Sequence, residues 1–428
     1  MGPILIFDKS LLQSLNADEA MWLDNFFNTN ITPLFFIETL ADLEKEISCG
    51  RRPEEVVGNL ANKTPDMSSR SNVHHLTLIA GELIGAGKID MGGRPIISGG
   101  KTVQIKEKTG IIFEQSPEEE AFIRWQKEEF LEIEKLYAKS WREGLSNINL
   151  EDKYLLFQRY FILGKPKTLE DVKKMTDEII DGINQEDVFI FGMWLVGVPF
   201  HSQQQVLKRW KDIGKIPIRK FAPYFSYVLS VDLFFYLAIA ADLIGRGRAS
   251  HKIDVAYLYY LPFCQIFTSN DKLHAQIINY FLTENQIFIS GRELKEDLKA
   301  LDEHYDALPS EVRSRGVSSF AMFPPQDKFF LICKLWDKYM ARDWRKRDVN
   351  LKLSPNTKVP EDLIKELKQM EKAAKSSNPD IAIDSDQAEH IVIKRMVRGI
   401  KGKWTRFLPE VMNRNKNEDG EWEDIKPS

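Results

Sequence analysis

Short apolar runs that lead into an acidic residue constrain the fold of this 428-residue chain more than any other feature. Residues 3–7 read Pro-Ile-Leu-Ile-Phe, and Asp8 follows at once. An uninterrupted apolar run of this length is typical of a strand that is buried on both faces of a parallel sheet. Residues 264–268, Cys-Gln-Ile-Phe-Thr, are a further predicted strand, which leads into Ser-Asn-Asp271. The sequence therefore predicts an α/β fold that is built around such a sheet.

Helical patterns separate these runs from one another. Residues 10–28 have a helical pattern, 31–37 resemble a second short strand, and Glu38 then opens another helix. Strands and helices that alternate in this way indicate an α/β unit. The alternation then stops, and it returns with an apolar helix at 225–244 and a strand at 286–290.

The interruption predicts how the chain is divided. Residues 49–224 contain a hairpin pattern at 95–113 with turn residues at 98–100, a long charged helical pattern at 118–146 and further helical patterns, but no continued alternation. Beyond residue 300, helical patterns occur at 326–343 and 360–376, with a polar linker at 375–380. We predict a doubly wound parallel sheet whose chain is divided into a first part of the sheet domain (1–48), a large and mostly helical insertion (49–224), a second part of the sheet domain (225–300) and a helical C-terminal extension with a basic segment (301–428).

The composition restricts the compartment and the general surface chemistry. Hydrophobic residues make up 43% of the chain and the formal net charge is -4, which is typical of a globular protein without a general affinity for nucleic acid. Three widely separated cysteines give neither a disulfide framework nor a zinc-ligand spacing. The apolar stretches 188–200 and 231–244 are shorter than the roughly 20 residues of a spanning helix. We expect a cytoplasmic protein that is not associated with a membrane.

Four acidic residues lie where predicted strands end or where helices begin: Asp8, Glu38, Asp254 and Asp271. Because ligands of parallel α/β sheets bind outside the carboxyl ends of the strands, we expect these residues to converge. Carboxylates that converge repel one another unless a cation lies among them, and oxygen ligands suit Mg²⁺ or Mn²⁺. Such ions assist the hydrolysis of phosphodiesters.

Structural roles also fit the same residues. Asp is a preferred residue at helix N-termini, so Asp8, Asp254 and Asp271 could each act as a cap. Glu38 could favour a helix dipole in a first turn. Asp42, one turn beyond Glu38, fits either a supporting contact or a solvated face. His274, three residues beyond Asp271, fits either a phosphate contact or a helix surface.

The order and setting of these residues resemble the PIN-domain nuclease family. The matching segments are Asp8 in Ile-Leu-Ile-Phe-Asp, Glu38 in Phe-Phe-Ile-Glu-Thr-Leu, Asp254 in Lys-Ile-Asp-Val-Ala-Tyr, and Ser269-Asn270-Asp271. The resemblance implies a PIN-like sheet, a Mg²⁺ or Mn²⁺ site held by the four acids, and cleavage of RNA. It also implies that Ser269 orients a metal-bound water or a phosphate. The resemblance covers 1–48 and 225–300, and compact family members have no insertion like 49–224.

A basic segment near the C-terminus is the candidate for contact with a nucleic-acid backbone. Lys and Arg neutralise phosphates, and an aromatic ring can stack on a base. A solvated basic helix or tail fits the same pattern. The candidate residues are Lys394, Arg395, Arg398, Lys401, Lys403, Trp404 and Arg406.

The sequence therefore leads to the hypothesis of a metal-dependent endoribonuclease that acts on single-stranded or looped RNA, with the insertion available for a protein partner. The alternative is a PIN-like scaffold that has lost cleavage and serves as an interaction module. A wholly helical adaptor is a third interpretation, and a parallel sheet that begins at Ile4 would exclude it.

Overall fold

A parallel sheet forms the centre of the protein. The computed structural model describes residues 2–105, 108–134, 166–245, 250–326, 329–346 and 388–407, with a few residues between 136 and 155 and short pieces at 368–370, 372–373, 414–416 and 422–424. The strands in chain order are β1 (Ile4–Phe7), β2 (Asn28–Ile31), β3 (Ser69–Ser71), β4 (Gly100–Ile105), β5 (Lys108–Phe113), β6 (Ile266–Ser269) and β7 (Ile287–Ser290).

Five of these strands make the sheet, in the order β3-β2-β1-β6-β7, and every neighbouring pair is parallel. The predicted α/β fold with a parallel sheet is therefore confirmed, and a wholly helical fold is excluded. The predicted strands 3–7, 264–268 and 286–290 correspond to β1, β6 and β7, and their ends agree within two residues. Since β1 and β6 are neighbours, their carboxyl ends meet at the same edge of the sheet, with Phe7 opposite Thr268.

Two hydrophobic cores cover the two faces of the sheet, because side chains along a strand alternate between its faces. Ile6 of β1 packs into the first core, whereas Leu5 and Phe7 pack into the second. This arrangement is compatible with a doubly wound fold. Helices that contribute to the first core are His75–Ile84, Leu169–Asp181, Gln185–Leu195, Phe200–Asp212, Ile218–Phe221, Pro223–Ala240, His251–Ala256 and Lys272–Ile277, together with the 3₁₀ helices Tyr257–Phe263 and Ile278–Tyr280.

The second core is formed by helices that lie mostly near the two ends of the chain. They are Lys9–Ser14, Ala17–Phe26, Pro33–Ser48, Pro53–Ala61, Pro117–Gln126, Gly291–Asp306, Val317–Phe320 and Leu331–Tyr339. The predicted helix 118–146 is observed as Pro117–Gln126 and is too long: the chain turns at 127–128, where Glu128 has a φ of 58°, and residues 141–146 lie outside the described residues. The predicted helix 326–343 is observed as Leu331–Tyr339, whereas the linker 375–380 and most of 360–376 lie outside the described residues.

The predicted second strand, 31–37, is wrong. Pro33 opens the helix Pro33–Ser48, with Thr32 in an extended conformation at its N-cap. Proline is favoured at the first helical position because its fixed φ suits the helix and its missing N–H costs nothing there. The true strand is the polar sequence Asn-Thr-Asn-Ile, in which the Asn30 amide donates to the Phe263 carbonyl oxygen at 3.1 Å.

β3 also differs from the predicted division of the chain. Residues 69–71, Ser-Arg-Ser, pair in parallel with β2 and belong to the sheet, although they fall in the predicted insertion. A three-residue polar strand carries no apolar pattern that a sequence could reveal. The hydrogen bonds of Asp24 explain its position, because this carboxylate accepts from the backbone N–H groups of Asp66, Met67 and Ser68 just before β3.

The predicted hairpin is confirmed as β4 and β5, which pair from Gly100 opposite Phe113 to Ile105 opposite Lys108. The predicted turn at 98–100 precedes the hairpin instead of forming its tip. A further strand, β8 (His390–Ile393), joins β5 in parallel, and it is followed by the short antiparallel pair β9 (Ile400–Lys401) and β10 (Trp404–Thr405). Residues 388–407, which were predicted to belong to a helical extension, therefore contain short β-strands instead.

One helix among the described residues, Pro223–Ala240, is long and apolar enough to cross a membrane. The protein itself buries 89% of that helix, as the core helix of a globular domain would be. It packs in the first core, where Tyr224 and Phe225 donate their backbone N–H groups to the Glu82 carboxylate at 3.1 and 2.8 Å.

A buried ion cluster fastens the C-terminal segment to the sheet domain. Asp24 is fully buried and accepts from Lys401 Nζ at 3.0 Å and from Arg406 Nη2 at 2.7 Å. Asp66 lies 3.0 Å from the same Arg406 nitrogen. Burial alone would raise the pKa of Asp24, but Lys401, Arg406 and the hydrogen bonds from Asp66 hold it well below its ordinary value of 3.8.

We expect the substitution Asp24→Asn to lower the free energy of unfolding by about 3–5 kcal/mol, because it leaves two buried cations with an incomplete set of partners. The loss is present above pH 4. It shrinks as the pH falls below 3.8, because the unfolded carboxyl then binds a proton while the folded one is still ionised. Denaturant unfolding at pH 7 and pH 3 measures it. Asp306→Asn is the control, since Asp306 also pairs with an arginine and a lysine but is 43% exposed, and it should cost less than about 1 kcal/mol.

Candidate functional site: a carboxylate cluster at the carboxyl edge of the sheet

The predicted site residues lie around the carboxyl ends of β1 and β6. Asp8 follows β1 directly, Ser269 is the last residue of β6, and Asp271 lies two residues further on. Asp254 comes from the helix His251–Ala256, and Glu38 lies in the second turn of Pro33–Ser48 rather than in a first turn. The N-cap interpretation holds for Asp8 and Asp271, which accept from the backbone N–H groups of Leu11 and Leu273, respectively.

Asp8 is the most enclosed of the four acids, with 4% of its surface exposed. Its Oδ1 accepts from Leu11 N at 3.0 Å, and its Oδ2 accepts from Ser269 Oγ at 2.6 Å. Ser10 Oγ lies within 2.8 Å of both oxygens. Burial alone would raise the pKa of Asp8, but His274 and the two serine hydroxyls lower it overall, so the carboxylate stays ionised.

Glu38 is held from two sides. Tyr257 donates its hydroxyl to Glu38 Oε2 at 2.7 Å, and the buried Lys9 ammonium lies 3.7 Å from Oε1. Lys9 also forms an ion pair with Asp42, which therefore has a supporting contact rather than only a solvated face. Burial raises the pKa of Glu38, and repulsion from Asp8 and Asp42 adds to that effect, although Lys9 and Tyr257 oppose it.

Asp254 shows most directly that the carboxylates converge. Burial raises its pKa from 3.8 to about 7, and repulsion from Asp271, Glu38 and Asp8 contributes in the same direction. The positive charge of His274 opposes the rise but does not cancel it. Among the described residues, no donor forms a hydrogen bond to the Asp254 carboxylate, so the predicted cap role is not supported here. The site therefore holds more negative charge than its own cations neutralise.

Sequence reasoning named His274 only in passing, and it missed Lys9 and Tyr257 as site residues. His274 is fully buried, with Nδ1 at 2.7 Å from Ser269 Oγ and Nε2 at 2.6 Å from the Asp254 carbonyl oxygen. Burial would lower the pKa of His274, but the Asp8 carboxylate 3.7 Å away, the hydrogen bond to the Asp254 carbonyl oxygen and the Asp254 charge raise it to about 9. The sequence feature that could have identified His274 as a site residue is its position one helical turn beyond Asp271.

The four acids suit a hard divalent cation in chemistry but do not form a finished ligand set. All are oxygen donors, as Mg²⁺ and Mn²⁺ prefer. The raised pKa of Asp254 reflects burial first and repulsion from the other acids second, and a bound cation would offset both. Among the described residues, however, no group of three His, Cys, Asp or Glu side chains is arranged to hold an ion. Ion binding would therefore require side-chain rearrangement.

Two cavities lie elsewhere in the protein. One of about 300 Å³ is lined by Asn62, Glu119 and Arg398 among others, and one of about 550 Å³ by Gln265, Gln286 and Lys338 among others. Neither is lined by any of the four acids. We place the site at the carboxylates because charged groups that perturb one another's protonation are a better sign of chemistry than volume alone.

The structure contradicts the predicted nucleic-acid contacts for the buried members of the basic segment. Lys401 and Arg406 are buried against Asp24, and Trp404 is 3% exposed, so its ring cannot stack on a base. The remaining candidates also make internal contacts: Arg395 with the Ser69 carbonyl oxygen, Arg398 with Asp66, Lys403 with Asp302 and Asp306, and Lys394 through its backbone N–H with the Phe113 carbonyl oxygen. Lys394 and Lys403 remain exposed, so contact of these two side chains with a nucleic acid stays a prediction.

Comparison with known proteins found no matching family model, no matching curated protein and no matching solved structure. The arguments for function therefore depend on the geometry of the carboxylate cluster.

We expect the substitution Asp254→Asn to stabilise the protein at pH 8 by about 1–3 kcal/mol, because it removes a charge whose folded pKa is raised. A raised pKa destabilises the folded state only above the ordinary value of 3.8, and fully so above about 7, so the gain should vanish at pH 4. Denaturant unfolding without divalent metal measures it. The control is Asp171→Asn, which removes an exposed carboxylate whose pKa is lowered by hydrogen bonds and should change stability at pH 8 in the opposite direction.

Proposed function

We propose that this chain is a metal-dependent endoribonuclease of the PIN-like type. The observation that carries the proposal is the convergence of Asp8, Glu38, Asp254 and Asp271 at the carboxyl edge of β1 and β6, with the pKa of Asp254 raised to about 7. A buried carboxyl that neighbouring acids also repel is kept in a fold at a cost to stability. That cost is understandable if the site accepts a cation.

Each side chain has a role that follows from its contacts. Asp8, Asp254 and Asp271 are the acids that would hold Mg²⁺ or Mn²⁺, with Glu38 beside them. The ion, when bound, supplies the charge that activates water and stabilises the leaving oxygen of a phosphodiester. Ser269 donates to Asp8 and so fixes the orientation of that carboxylate. Because a protonated Asp254 cannot ligate a cation, affinity for the ion should fall as the pH drops below 7.

A second candidate is a PIN-like scaffold without cleavage, and two observations favour it. Lys9 and His274 already place cations among the carboxylates, and no metal-holding group is preformed in the described residues. The insertion also exposes large apolar side chains, with Ile183 fully exposed and Phe200 79% exposed. Exposed apolar side chains are expected where a protein partner binds. In this function the acids would only define the local structure of the sheet edge.

The variants Asp8→Asn and Asp254→Asn distinguish a metal-dependent nuclease from a scaffold without cleavage. We expect the wild type to cleave labelled single-stranded RNA with Mn²⁺ or Mg²⁺ but not with chelator. Each variant should lower kcat by at least about 100-fold, because it removes charge where the reaction needs it. Asparagine at position 8 can still cap the helix that Asp8 begins, so folding should be preserved.

The matched control is Asp297→Asn. Asp297 is also a carboxylate that accepts from two backbone N–H groups, those of Leu331 and Ile332, but it lies in a different part of the fold. Its substitution should leave kcat within about twofold. Metal-dependent cleavage that survives both site variants would contradict the proposed centre. Absence of cleavage by a folded wild type, on single-stranded RNA, looped RNA and DNA, would favour the scaffold.

A further inference from the structure

We propose that His274 is a positioning residue, which holds the Ser269 hydroxyl and the helix that carries Asp254 in the arrangement that the carboxylate site needs. The inference rests on the proposed function, because it assigns His274 a part in the same reaction. It is carried by the two hydrogen bonds of the imidazole, which reach both sides of the site.

The contacts of His274 connect separate elements of the site. Nδ1 reaches Ser269 at the end of β6 and lies 3.7 Å from Asp8 Oδ2, beyond the end of β1. Nε2 reaches the backbone carbonyl oxygen of Asp254 in another helix. The ring also packs edge-on against Tyr257, which in turn donates to Glu38. One side chain therefore touches, directly or through one neighbour, the elements that supply three of the acids.

The donor and acceptor pattern assigns a direction to these hydrogen bonds. A carbonyl oxygen only accepts, so Nε2–H donates to Asp254. Ser269 Oγ has one proton, which it donates to the Asp8 carboxylate, and it accepts from the backbone N–H of Asp271. Nδ1–H then donates to Ser269 Oγ as well. The imidazole thus fixes the serine hydroxyl with its proton directed at Asp8.

A purely structural role would not require an imidazole at this position. The ring packs edge-on against Phe267 and Tyr257, with centroids 5.1 and 5.9 Å away, and a phenyl ring would satisfy both contacts. The two hydrogen bonds are what only His can make there. Because a misplacement of about 1 Å can cost about 100-fold in rate, loss of both bonds should affect turnover more than binding.

The test compares three variants of the full chain in the RNA cleavage assay with Mn²⁺. His274→Phe keeps the ring and removes both hydrogen bonds, and we expect kcat to fall by about 100-fold while KM changes less than about threefold. In His274→Asn the side-chain amide can replace Nδ1, and in His274→Gln it can replace Nε2. We expect at least one of them to recover about tenfold in kcat over His274→Phe.

Tyr227→Phe is the matched control, because it removes one buried hydrogen bond, from Tyr227 to the Leu258 carbonyl oxygen, away from the carboxylates. It should leave kcat and KM unchanged. The positioning role is overturned, while the proposed function stands, if His274→Phe behaves like this control. It is also overturned if neither amide variant has a higher kcat than His274→Phe. If His274→Phe does not fold, kcat of the two amide variants is compared with that of the wild type instead. An unchanged kcat in both, as in the control, overturns the positioning role. A folded wild type that cleaves no RNA overturns the proposed function and this inference together.

Discussion

The buried Asp24 carboxylate is the interaction on which most of the architecture depends. It accepts three backbone N–H groups that precede β3, and it pairs with Lys401 and Arg406 of the C-terminal segment. A single charge inside the protein thereby fixes the edge strand of the sheet and the last described segment of the chain. Because an unpaired charge is very costly in the interior, separation of the C-terminal segment from Asp24 would lower the stability of the fold.

The carboxylate cluster at the other end of the strands shows the opposite use of charge. Around Asp24, cations and hydrogen-bond donors satisfy the carboxylate, and its pKa falls. Around Asp254, burial and the repulsion from neighbouring acids outweigh the charge of His274, and its pKa rises to about 7. The first arrangement contributes to stability, whereas the second lowers it. This contrast is the main physical reason to regard the sheet edge, and not the ion cluster, as the place where the protein acts.

The elements that the sequence could predict are those whose signal is local. Residues 3–7 and 286–290 are apolar because both faces of the sheet are covered, and their strands are found within one residue of the predicted ends. β2 and β3 could not be found in this way. Their sequences are polar, and the contacts that hold them come from distant residues: the Asn30 amide donates to the Phe263 carbonyl oxygen, and Arg395 donates to the Ser69 carbonyl oxygen.

The sequence by itself determined that a parallel sheet forms and that Asp8 and Asp271 each follow a strand, because strand burial and the position of an acid after a strand are properties of short segments. Only the tertiary structure decided which charges meet. It placed Lys401 and Arg406 against Asp24 instead of on the surface, and it placed Lys9 and His274 among the carboxylates. The interaction between charges depends on their distance and their burial, and neither quantity exists until the chain is folded.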